Sequence, residues 1–137
     1  SWVGCLSVSD YRNHVFAHSK KLLDSISGKV PVIHFGTGNP SLLPLMNEAG
    51  GDVMALDWRA PLKESWELLG CKAVQGNMDP IALFGSVDSV RQAAGLILEE
   101  VGGRPGHIFN LGHGILPETP VENVKALVEF VQGYQIS

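Results

Sequence analysis

Short apolar runs of strand-forming residues alternate with helix-patterned segments along the chain, and this alternation restricts the possible folds more than any other feature. The runs occupy residues 30–35, 52–57, 72–76 and 107–111, the third weakened by its own Gly76. They are mostly apolar on both faces, the pattern of parallel strands buried beneath helices. Between them the spacing predicts helices over 10–27, 41–49, 61–69, 80–101 and from 119 or 120 to 131. The first carries Tyr11, Val15, His18, Leu22 and Ile26 at steps of three and four, and the fourth is broken near Gly85-Ser86. Strand followed by helix, four times over, predicts an α/β fold of parallel strands with flanking helices.

Two architectures satisfy that pattern. An open doubly wound sheet binds ligands where its strand order reverses. A (β/α) barrel binds them at the C-terminal ends of its strands, and a complete one typically needs roughly 250 residues. With 137 residues, the chain reads as a single unit, residues 1–137, whose four strand-helix repeats and leading stub make up part of a barrel.

Helix ends are marked locally. Asn39-Pro40, Asp79-Pro80 and Thr119-Pro120 each set a capping residue before a proline suited to the first helical turn. Thr119-Pro120-Val121-Glu122 also has the form of a capping box, and Ser7-Val8-Ser9-Asp10 resembles one. Gly50-Gly51, Gly70 and Gly102-Gly103 follow predicted helices as stop signals.

Composition narrows function by exclusion. A net charge of −4 lacks the basic footprint of a nucleic-acid binder, and no apolar run reaches the length of a membrane span. Hydrophobic residues at 45% against 18% charged describe a folded chain. Cys5 and Cys71 match no metal spacing and read as buried free thiols in a reducing cytosol. The opening Ser1-Trp2-Val3-Gly4 has no basic signal-peptide region and no initiator Met, which reads as the continuation of a longer polypeptide.

In either architecture, chemistry belongs just after the strands. Those positions read Ser1 to Gly4, Phe35 to Asn39, Asp57-Trp58-Arg59, Gly76 to Asp79 and Gly112-His113-Gly114. Gly36-Thr37-Gly38 does not complete a dinucleotide fingerprint, because Ser41 and Leu42 stand where its third glycine belongs. His34 has no partner at zinc-ligand spacing. His14 and His18 lie four apart on what reads as one solvated helix face. His113 stands out: an imidazole that can donate, accept or carry charge near neutral pH, between glycines that let the backbone approach a ligand. A structural histidine bonded to a neighbouring carbonyl fits the spacing equally well.

The segment Asn110-Leu111-Gly112-His113-Gly114-Ile115, with Pro117 and Pro120-Val121-Glu122-Asn123-Val124, closely resembles the C-terminal signature of the uroporphyrinogen decarboxylase family. Ser1 to Gly4, Val53 to Trp58 and Gln75 to Pro80 agree with it in order. The resemblance implies the C-terminal part of a (β/α)8 TIM-type barrel, a cytoplasmic homodimer, and a carboxy-lyase that uses neither metal nor organic cofactor. That enzyme converts the four acetate side chains of uroporphyrinogen III to methyls, giving coproporphyrinogen III for haem and chlorophyll synthesis. By motif, Ser1 corresponds to the family's active-site serine and His113 to the histidine of its GHG segment, both substrate-binding. No residue here corresponds to its carboxylate-holding arginines or its pyrrole-binding aspartate, so none is assigned a catalytic role. The partners implied are a tetrapyrrole substrate and the missing N-terminal half of the barrel, without which the chain is expected to be inactive. A related methyltransferase branch binds zinc through His-x-Cys, where this chain has His34-Phe35-Gly36. A self-associating half-barrel, acting as scaffold or tetrapyrrole-binding module, is the alternative.

Overall fold

Each apolar run contributes one short parallel strand. The computed structural model describes residues 2–38, 40–71 and 73–135. Within them lie β1 (Ile33–Phe35), β2 (Val53–Ala55), β3 (Val74–Gln75) and β4 (His107–Ile108), hydrogen-bonded in the order β1-β2-β3-β4. All three pairings are parallel, with Phe35 beside Ala55, Ala55 beside Gln75 and Gln75 beside Ile108. The order runs one way with no reversal, so there is no switch point of the doubly wound kind. The strands advance as they do around a barrel wall.

Helices α1 (Val8–His14), α2 (Phe16–Ile26), α3 (Leu43–Ala49), α4 (Leu62–Leu69), α5 (Val87–Val101) and α6 (Val121–Gly133) accompany the strands, with 3-10 turns at Val3–Cys5, Pro40–Leu42 and Pro80–Phe84. From α2 onward each helix packs against the next. Side chains alternate between the faces of a strand, and the register aligns His34, Met54, Val74 and His107 in one row. Met54 and Val74 of that row lie in a buried cluster with Leu43, Met46, Leu62 and Trp66 from the helices. The opposite row includes Ile33, Phe35 and Ile108, all exposed. A second cluster, Met78, Leu83, Val90, Ala94 and Leu127, joins α5 and α6 to the end of the sheet.

The strands are shorter than the apolar runs. Pro31 has no amide to donate, and the Val32 amide is taken by the Asp52 carboxylate at 2.8 Å, so β1 starts at Ile33. Beyond β4 the pairing resumes only as a bridge between Met78 and Leu111. Lys72 and Asn39, placed in the third strand and in a capping pair, lie outside the described residues.

Local caps behave mostly as their sequences suggest. The Ser7 hydroxyl accepts the Asp10 amide at 3.0 Å, and Asp79 accepts the Ile81 amide at 2.9 Å. Ser86 caps α5 after the break at Gly85. Gly70 and Gly102 end α4 and α5 in the left-handed conformation. Two expectations fail. The helix over 10–27 is divided at Val15, which places His14 on α1 and His18 on α2, both exposed. The capping box at Thr119 does not form. The Thr119 amide is already donated to the Leu116 carbonyl at 3.0 Å, and Pro120 rather than Thr119 occupies the cap position. Glu122 pairs instead with Lys125 at 2.9 Å.

Candidate active site

The segments that follow the strands converge on one cavity of about 560 Å³. The opening turn contributes Trp2, Gly4 and Cys5, and the loop after β1 contributes Thr37 and Gly38. Trp58 and Arg59 follow β2, Asp79 to Ile81 follow β3, and His113, Gly114 and Leu116 follow β4. Residues far apart in sequence therefore share a wall at the C-terminal end of the sheet, where barrels of this type carry their chemistry.

Two close backbone approaches join these loops. The Gly4 amide donates to the Thr37 carbonyl at 2.9 Å, and a Cβ on Gly4 would overlap the Gly38 backbone. A Cβ on Gly112 would overlap the backbone of Trp58. Gly112 is thus required by the loop against it, whereas nothing lies within 4 Å of where a Gly114 side chain would start.

His113 is half-buried in this wall. Its ring meets Trp58 edge-on at 6.0 Å and Trp2 at 5.8 Å. Nδ1 lies 3.4 Å from the Gly114 carbonyl, at the limit of a hydrogen bond. Nε2 has no protein partner among the described residues. Ser1, the other residue singled out by motif, lies outside the described residues.

Asp57, fully buried, organises the wall. Its carboxylate accepts the Gly38 amide at 2.8 Å and the Arg59 amide at 2.9 Å, and Arg59 Nη1 reaches its two oxygens at 3.1 and 2.9 Å. A buried carboxylate is tolerated when its lone pairs are filled in this way. The Arg59 guanidinium lies 3.8 Å from the centre of the Trp58 ring, a cation-π arrangement. Asn77, also buried, donates to the carbonyls of Asp57 at 3.1 Å and Ala60 at 2.6 Å, tying the loop after β3 to the loop after β2.

Arg59 is the site residue that motif reasoning passes over. Its signal was a cation two positions after the acidic residue at a strand end, a spacing with no meaning until the Trp58 ring and the Asp57 carboxylate are seen to hold it. His34 does not belong to the cavity; Nδ1 lies 2.9 Å from the Gly50 carbonyl. His107 also stays out of it, with Nε2 2.6 Å from the Gly76 carbonyl. Burial pushes its pKa below the ordinary value, opposed by the bond to Gly76. The cysteines are not the buried pair expected: Cys5 is exposed on the opening turn and Cys71 is half-buried beside α4. Burial raises the Cys71 thiol pKa, and its own backbone and the Arg104 charge act against the shift.

A one-way parallel sheet, helices in series and a cavity built from strand-end loops define the C-terminal part of a (β/α)8 TIM-type barrel. The family model described as uroporphyrinogen decarboxylase (URO-D) matches residues 1–134, and the chain belongs to that family. A uroporphyrinogen decarboxylase from Koribacter versatilis is 53% identical over 137 residues, covering 98% of this chain and 39% of the relative. One from Thermus thermophilus is 53% identical over 133 residues, covering 96% of this chain and 39% of the relative. The chain therefore spans about two fifths of the length of the curated relatives it matches. Among solved structures, a methyltransferase from Methanosarcina mazei superposes with a TM-score of 0.74 at 27% identity, covering 93% of this chain and 37% of that one.

Proposed function

We propose that the whole protein containing this chain decarboxylates the acetate side chains of uroporphyrinogen III to give coproporphyrinogen III, and that residues 1–137 form the C-terminal portion of its barrel. The carrying observation is the meeting of the strand-end loops at one cavity in which His113 stands between Trp2 and Trp58. The relatives named uroporphyrinogen decarboxylase support the same reading.

Loss of carbon dioxide from a pyrrole acetate requires an electron sink. Protonation of the ring carbon supplies one, and the protein must donate that proton, stabilise the resulting cation and exclude water. In this reading His113 hydrogen-bonds a substrate carboxylate through Nε2, and Ser1 does so through its hydroxyl. The aromatic rings on either side of His113 restrict water around it. The groups that bind the pyrrole nitrogens come from the rest of the barrel, whose strands also cover the exposed Ile33, Phe35 and Ile108 face. Neither metal nor organic cofactor takes part. Assembly as a cytoplasmic homodimer completes the proposal. No helix among the described residues is long and apolar enough to cross a membrane, and the free thiols suit a reducing compartment.

The test is anaerobic incubation of the full-length protein with uroporphyrinogen III, following carboxyl loss by product chromatography. Stepwise formation of coproporphyrinogen III is expected; substrate recovered unchanged would sink the reading.

A further inference from the structure

Arg59 has more hydrogen-bonding capacity than its neighbours use. A guanidinium carries five N–H donors in a planar fork. Among the described residues only Nη1 is engaged, by both oxygens of Asp57. The guanidinium carbon lies 3.8 Å from the centre of the Trp58 ring, and Nε and Nη2 have no hydrogen-bond partner among the described residues. The side chain is 53% exposed and lines the cavity. The pair is open on one side only: Asp57 is fully buried while the Arg59 fork reaches solvent. Asp57 already accepts two backbone amides without it. The cation is therefore held at the cavity wall by a buried carboxylate and an indole face, with its outer donors unmet among the described residues.

We propose that Arg59 binds a carboxylate of the substrate through Nε and Nη2, with Asp57 and Trp58 as the positioning residues that fix its fork. This rests on the proposed function for the identity of the polycarboxylate substrate. The fork suits a planar carboxylate bidentately, which a lysine ammonium cannot imitate. The carboxylate held is one that keeps its charge through the reaction, so Arg59 contributes equally to ground-state and transition-state binding and sets KM rather than kcat.

The experiment compares full-length wild type, Arg59→Gln, Arg59→Lys and, as a distant control on α5, Arg91→Gln. Turnover of uroporphyrinogen III and equilibrium binding of its oxidised form, uroporphyrin, are both measured. Arg59→Gln is expected to raise KM about ten- to a hundredfold, the effect of losing a hydrogen bond to a charged group, with kcat within about twofold. Arg59→Lys falls between, and Arg91→Gln matches wild type. Binding of uroporphyrin weakens by the same factor in Arg59→Gln. That outcome supports the role of Arg59 even if the wild type fails to turn over uroporphyrinogen III, a failure that would count against the proposed function alone. Equal uroporphyrin affinity in wild type and Arg59→Gln, or no binding by either, overturns the inference, as does an unchanged KM with a lowered melting temperature.

Discussion

Gly112 and Trp58 meet backbone to backbone, so closely that a single added methyl on the glycine would occupy the space of the Trp58 main chain. This contact brings the loops after β2 and β4 together and sets His113 against the Trp58 ring. Because the obstructing atoms are mainly backbone, they cannot rotate aside. Gly112→Ala is expected to destabilise the full-length protein by about 3 kcal/mol, the upper end of ordinary overpacking. Gly114→Ala, with open space at its Cβ, should stay within about 0.5 kcal/mol of wild type. Urea unfolding of both variants provides the check, and equal losses would show that the contact has no such consequence.

His113→Asn separates the two readings of this residue. Its only hydrogen bond among the described residues is the 3.4 Å contact to Gly114, so stability should barely change. If Nε2 bonds a substrate carboxylate, kcat/KM should fall by a factor of about ten to a hundred and fifty. Melting temperature and steady-state kinetics of the full-length variant decide the matter. A normal kcat/KM removes His113 from the site.

His107 should impose a pH dependence on stability. Burial depresses its folded pKa below the ordinary 6.5, and the neutral ring donates Nε2–H to Gly76. Between 6.5 and the lower folded value the unfolded chain binds a proton that the native state does not, so stability falls as pH drops through that window. The contribution is complete above 6.5 and gone below the folded pKa. His107→Gln retains an N–H donor and removes the titration. Its deficit relative to wild type should shrink between about pH 7.5 and about pH 5.5, read as urea midpoints; a constant deficit would contradict the assignment.

Thr119 offers a gain. Its hydroxyl is buried and has no partner among the described residues. Thr119→Val keeps the shape and removes an unsatisfied polar atom, so it should be neutral or stabilise by up to about 1 kcal/mol. Were Thr119 a working cap, the same change would cost about 1 kcal/mol. The sign of the shift in the urea midpoint distinguishes them.

Elements whose signals are local were legible in the residues: the alternation of strands and helices, the caps at Ser7 and Asp79, the break near Gly85-Ser86, and the stops at Gly70 and Gly102. Each depends on atoms within a few positions along the chain. Two local expectations failed, the one at Thr119 to a competing bond. The Leu116 carbonyl took the amide that the Thr119 capping box required, and Val15 ended one helix and began the next. Strand ends were also poorly legible, because the Asp52 carboxylate, twenty positions away, takes the Val32 amide.

By itself the sequence determined the order of strands and helices, the places where loops must fall and the identity of the residues in those loops, because chain connectivity and local backbone preference act on each segment separately. Only the tertiary structure decided that the strands advance in one direction, that Gly4 touches Gly38 and Gly112 touches Trp58, and that Asp57 is buried with Arg59 in its grip. Those are relations between loops separated by long stretches of chain. They arise when the apolar row of the sheet is buried beneath the helices and the loop ends are carried to a common edge, where hydrogen bonds and close packing select which residues meet.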